Sequence, residues 1–78
     1  MYNFSELRSK EVININDGKR LGYICDINID ERTGQINSVI IPKKRSLLSL
    51  LWKNDDYIVP WSGITTLGED IIIVNVRF

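Results

Sequence analysis

Seventy-eight residues, ten Lys and Arg balanced by ten Asp and Glu, and a 44% hydrophobic content describe one small folded domain over residues 1–78. The single cysteine and the absence of histidine exclude an internal disulfide framework, a Cys-rich zinc site and histidine-based catalysis. Zero net charge argues against a polyanion as the main partner, because affinity for a phosphate backbone is built from many unopposed cations.

Taken from the N-terminus, residues 1–8 lack the basic start and apolar run of a secretory signal, which points to the cytoplasm. No apolar run approaches the roughly 20 residues a spanning helix requires. Ser5, followed by Glu6, Leu7 and Arg8, is the candidate cap of a single helical turn. Val12, Ile13 and Ile15 then give a first β-branched segment over 11–15, closed by the turn Asn16-Asp17-Gly18. Residues 21–29 set Leu21, Tyr23, Cys25, Ile27 and Ile29 at period two, which predicts one long half-buried strand. That phase puts the Cys25 thiol on the apolar side, buried and inert. Gly22 marks a bulge or bend if the sheet turns a corner there, and is an ordinary surface glycine otherwise.

A turn at Asp30-Glu31-Arg32-Thr33-Gly34 leads into a strand over 36–41 that stops at Pro42, which has no N–H for a ladder. Tyr57, Ile58 and Val59 repeat the pattern before Pro60. Trp61-Ser62-Gly63 suits a second single turn, with Trp61 as a core plug. Residues 64–67 and 71–76 bracket Gly68-Glu69-Asp70 as a closing hairpin. The expected fold is all-β, with about six short antiparallel strands and one or two single-turn helices, curled into a small barrel that hides the Ile and Val side chains.

Asp26, Asn28 and Asp30 read as the opening of a calcium loop, but Glu31 replaces the turn glycine and Asn37 stands where the loop needs its final Glu. At strand spacing the three form a solvated polar face. No metal, cofactor or catalytic residue is assigned, since the chain has no Gly-rich phosphate loop and no activated nucleophile pattern.

The segment over 43–54 departs from this pattern. Lys43, Lys44 and Arg45 precede Leu47, Leu48, Leu50, Leu51 and Trp52, with Lys53 after them. It is too long for an ordinary hairpin connection and too apolar for a disordered linker. Two readings fit. Leu47, Leu50 and Leu51 cap an open end of the barrel, or the leucines and Trp52 form the desolvated centre of a partner or homodimer interface with the three cations at its rim. Contact with RNA through the basic loop 43–53 and Trp52 is the alternative, and attachment to a membrane surface ranks below both.

Ser5-Glu6-Leu7, Lys10-Glu11-Val12-Ile13, Asn16-Asp17-Gly18 and Leu21-Gly22 together resemble the first hairpin of PRC-barrel domains. Ile58-Val59-Pro60-Trp61, Ile64 and Leu67-Gly68-Glu69-Asp70-Ile71-Ile72 resemble the second half of that domain. With Ile40-Ile41-Pro42 and the Leu/Trp loop, the chain is similar nearly end to end to the YlmC/YmxH-type group of small sporulation-associated PRC-barrel proteins from spore-forming bacteria. The basic cluster at Lys43, Lys44 and Arg45 departs from the more glycine-rich loop of that pattern. The resemblance implies a PRC-type barrel and a non-enzymatic adaptor that docks onto another protein, associated with sporulation. It carries over no catalytic residue.

Overall fold

The structure, a computed structural model, describes residues 2–43 and 56–78. The one α-helix among the described residues, α1 (Phe4–Ser9), is capped by Asn3, whose Oδ1 accepts from the Glu6 N–H at 2.9 Å. Ser5, the expected cap, lies inside the helix; Asn3 takes the role because its extended backbone aims the side chain at the first free N–H groups. Leu7 is the buried residue of α1, and the helix stops where Lys10 turns extended.

The helix leads into β1 (Glu11–Asn14) and β2 (Lys19–Tyr23), joined through the predicted turn, where Gly18 N–H donates to the Asn14 carbonyl at 2.8 Å. Residues 21–29 do not form one strand. The chain leaves β2 at Tyr23, passes through Ile24 and Cys25, and begins β3 (Asp26–Ile29) in a different sheet. The cause sits at Gly22, whose φ of +117° is open to glycine and strained for other residues. Opposite it the β1–β2 register shifts between Val12 and Ile13, the signature of a bulge. A bulge resets the side-chain phase, so Leu21 and Ile24 are buried while Tyr23, Cys25 and Ile29 face solvent. The expectation of a buried Cys25 is therefore wrong. Its thiol should react with an aromatic disulfide reagent as fast in the folded protein as in urea; protection until unfolding would contradict the exposure described here.

After the turn ending at Gly34 come β4 (Ile36–Pro42), β5 (Asp56–Pro60), a 3-10 turn over Trp61–Gly63, β6 (Ile64–Leu67) and β7 (Ile71–Val74). The split of residues 21–29 makes seven strands among the described residues where six were expected. They form two ladders, ordered β2-β1-β7-β6 and β3-β4-β5, instead of one continuous antiparallel sheet. The first contains a parallel pair: β7 runs beside β1 in the same direction, matching Glu11 with Ile71 through Asn14 with Val74. The second is antiparallel throughout.

One core joins the ladders. Val12, Leu21, Ile72 and Val74 meet Ile24, Val39, Ile41 and Val59, with Leu7 of the helix and a surround that includes Tyr57 and Trp61. Trp61 is half-buried against this core, in line with its expected role as a plug. The ladders touch where β2 lies against β4, and Cys25 N–H donates to the Ile40 carbonyl at 2.9 Å, carrying the chain from one to the other.

Asn14 is a fully buried polar side chain in this apolar setting. Strand periodicity puts it on the same face as Val12 and turns Ile15 outward. Its amide group donates to the Val76 carbonyl at 2.8 Å, and its Oδ1 accepts from Val76 N–H at 3.1 Å and Asn16 N–H at 3.2 Å. The segment beyond β7 is thereby pinned to the first strand. The β6–β7 turn is tied to the other end of β1: the Gly68 carbonyl accepts from Lys10 Nζ at 2.9 Å and from the Tyr2 hydroxyl at 3.3 Å.

Candidate interaction groove

The residues of β2 follow directly from the tight turn that reverses β1, so Lys19 and Arg20 emerge together at the start of an outer strand. The bulge at Gly22 then swings Tyr23 outward, leaving its side chain half exposed at 51%. Facing β2 are the end of β4 at Pro42, Lys43 just beyond it, and the start of β5 at Tyr57. Between these walls lies a groove of about 590 Å³, lined by Glu11, all of β2, Pro42, Lys43 and Tyr57. A second concavity of about 440 Å³ shares Lys19, Lys43 and Tyr57 with it and adds Asn16, Asp17, Arg77 and Phe78. The shared residues make the two a continuous surface.

Aromatic rings and cations interleave along it. Lys43 Nζ stands 5.0 Å from the Tyr57 ring centroid, and the Phe78 ring tilts against Tyr57 at 4.9 Å between centroids. An ammonium over a ring face is drawn to the π-electron density. Four cations, Lys19, Arg20, Lys43 and Arg77, meet two carboxylates, Glu11 and Asp17. The Glu11–Arg20 contact is long, 3.9 Å, with the Arg20 side chain 76% exposed. A pair so wetted is weak, which leaves the guanidinium able to exchange partners.

Of the residues singled out from the sequence, Lys43 is placed here, exposed at the groove's lip. Lys44, Arg45, Leu47, Leu48, Leu50, Leu51 and Trp52 lie outside the described residues. The groove residues that sequence reasoning missed are Lys19, Arg20, Tyr23, Tyr57, Arg77 and Phe78. Their signal was present as two basic–aromatic groupings, Lys19-Arg20 near Tyr23 and Arg77-Phe78, which only the fold brings to the same place.

The acidic side chains once weighed as a calcium loop are otherwise engaged. Asp26 Oδ1 accepts from Ile27 N–H at 2.8 Å and Asp30 Oδ1 from Arg32 N–H at 2.9 Å, while Asn28 donates to the Ser38 hydroxyl at 2.9 Å. Among the described residues no three His, Cys, Asp or Glu side chains gather as a metal site. No helix among them is long and apolar enough to cross a membrane.

Two sheets of short strands around one aliphatic core, with a short N-terminal helix and a basic, aromatic groove, make a small β-rich domain. The chain belongs to the PRC-barrel domain family, whose sequence model matches residues 1–77. It is similar to the probable sporulation protein YlmC of Bacillus subtilis, 37% identical over 75 residues that cover 96% of this chain and 93% of that one. It is also similar to the uncharacterized protein YmxH of the same organism, 38% identical over 92% of this chain and 86% of the relative. An uncharacterized protein of Clostridium acetobutylicum is 34% identical over 95% and 84% of the respective chains.

Proposed function

We propose that the chain is a non-enzymatic protein-binding module that acts in the cytoplasm during sporulation, its two ladders being the halves of a PRC-type barrel. The observation that carries this reading is the groove beside β2, where exposed Tyr23 and half-buried Tyr57 stand among four cations. Aromatic and Arg side chains at a concave surface are the usual anchors of a protein interface. The likeness to a probable sporulation protein supports the cellular setting. In this reading Lys43, Lys44, Arg45, Leu47, Leu48, Leu50, Leu51 and Trp52 take part in partner contact, and a homodimer is a further use of that contact.

The test compares immobilised wild-type chain with two variants, Tyr23→Ser and the triple Leu50→Ser, Leu51→Ser, Trp52→Ser, in extract from sporulating cells. Wild type retains a discrete protein that both variants release, with circular dichroism unchanged. Equal capture by all three, or unfolding of the triple variant, contradicts the reading. Sedimentation equilibrium decides the dimer, whose mass is twice 9.0 kDa.

RNA binding is the second reading, favoured by the same interleaving of Lys and Arg with exposed rings. It requires retention on single-stranded RNA that falls steeply with salt and disappears when Lys43, Lys44 and Arg45 are neutralised. Capture of a protein that survives high salt decides against it.

A further inference from the structure

We propose that β2 is a strand-addition edge that takes an extended acidic peptide segment of a partner protein. This rests on the protein-binding reading above and gives the partner its chemistry. All five residues of β2 line the groove, and β1 is its one strand partner among the described residues. An outer strand directs alternate N–H and C=O groups away from its sheet, and an extended segment laid beside it pairs with them. The groove supplies the space for that segment beside Lys19 and Arg20, with Lys43 and Tyr57 as the opposite wall; it narrows toward Gly22, where β2 lies against Ile41 and Pro42 of β4.

Charge selects this edge over the others. Among the described residues the two ladders have four outer strands, β2, β6, β3 and β5. Asp26 is the charged residue of β3 and Asp56 that of β5, β6 is uncharged, and β2 carries Lys19 and Arg20. A segment bearing carboxylates is favoured at β2, with its two cations, over β3 and β5, each of which carries one carboxylate at its first residue. Arg20, held to Glu11 only by the long 3.9 Å contact, transfers readily to an incoming carboxylate. Tyr23 and Tyr57 offer apolar surface for the residues between the acidic ones. A peptide is favoured over a polyphosphate chain because the cations are few and Glu11 and Asp17 stand among them. Polyphosphate affinity grows with the number of phosphates neutralised, whereas a few carboxylates spaced along a strand match what is present.

The experiment titrates the isotope-labelled full chain with a peptide of alternating Glu and Val, long enough to pair with the five residues of β2. Amide shifts are expected to concentrate on Lys19–Tyr23 and Tyr57. The double variant Arg20→Glu, Lys43→Glu should weaken binding about tenfold or more, its unchanged spectrum elsewhere reporting an intact fold. An N-methylated version of the same peptide keeps the charge and loses the main-chain donors, so it should not bind. Shifts on another surface, or equal binding after N-methylation, overturn the inference. So does a single-stranded RNA that perturbs the same amides while the peptide leaves them unmoved. If the extract experiment still yields a protein partner, strand addition has failed and the adaptor reading stands; if no partner is captured, the adaptor reading has failed.

Discussion

Replacing Asn14 with leucine is expected to remove about 3 kcal/mol of folding stability, a large share of what a domain of this size holds. Leucine shares asparagine's branching at Cγ but is the larger side chain, so the change leaves no cavity and adds some overpacking to the lost polar contribution. What is lost is the set of three hydrogen bonds to Val76 N–H, Val76 C=O and Asn16 N–H. Asn16 is exposed and recovers a water partner; Val76 is half-buried, and its two main-chain groups do so poorly. Urea unfolding should show a lower midpoint with an unchanged slope, and the melting temperature should fall by roughly 15 °C. Hydrogen exchange localises the damage: the Val76 amide loses protection before the β1–β7 ladder does. A cost below about 1 kcal/mol would mean that water replaces the asparagine without difficulty.

The second large effect is expected at Gly22. A Cβ there would lie 3.5 Å from Ile41 Cγ2 and 3.9 Å from the Pro42 carbonyl oxygen, ordinary contact distances. Space is therefore not the obstacle. The φ of +117° is, and a β-branched side chain tolerates it least. Gly22→Val should cost about 3 kcal/mol and Gly22→Ala about 1 to 2 kcal/mol, measured by urea unfolding. The largest amide shifts should fall at Val12 and Ile13, across the bulge. A valine variant as stable as wild type would mean that the chain abandons the bulge without penalty, and the groove wall formed by β2 would then have no fixed shape.

The turns and the purely aliphatic strands were legible in the sequence because each is governed by local chemistry. Asn16-Asp17-Gly18, the strand ending at Pro42, the turn at Trp61 and the closing β6–β7 hairpin all stand where residue type alone put them. Residues 21–29 were misread because their alternation is real but interrupted: one glycine resets the phase, and period-two counting assumes that nothing does. Cys25 and Tyr23 therefore face solvent while Ile24 fills the core. Asn14 was passed over since a polar residue in a short Val/Ile segment reads as an outward position; its partner, Val76, lies 62 residues away, beyond any local pattern. The parallel β1–β7 pairing is non-local in the same sense. The groove was hardest to see, because its cations and rings come from β2, the end of β4, β5 and the C-terminal segment. Of the stretch that drew attention from sequence, Lys43 belongs to it.

The pairing of β1 with β7 also dictates an order of events as the chain is made. Glu11 leaves the ribosome long before Ile71 is added, so the first strand waits for most of the domain to be synthesised before its inner neighbour exists. Until then β1 and β2 are a lone hairpin, which is marginal in water, with Val12 and Leu21 uncovered. The nascent polypeptide thus exposes a sticky, half-built sheet throughout elongation and acquires its protection in one late, cooperative step.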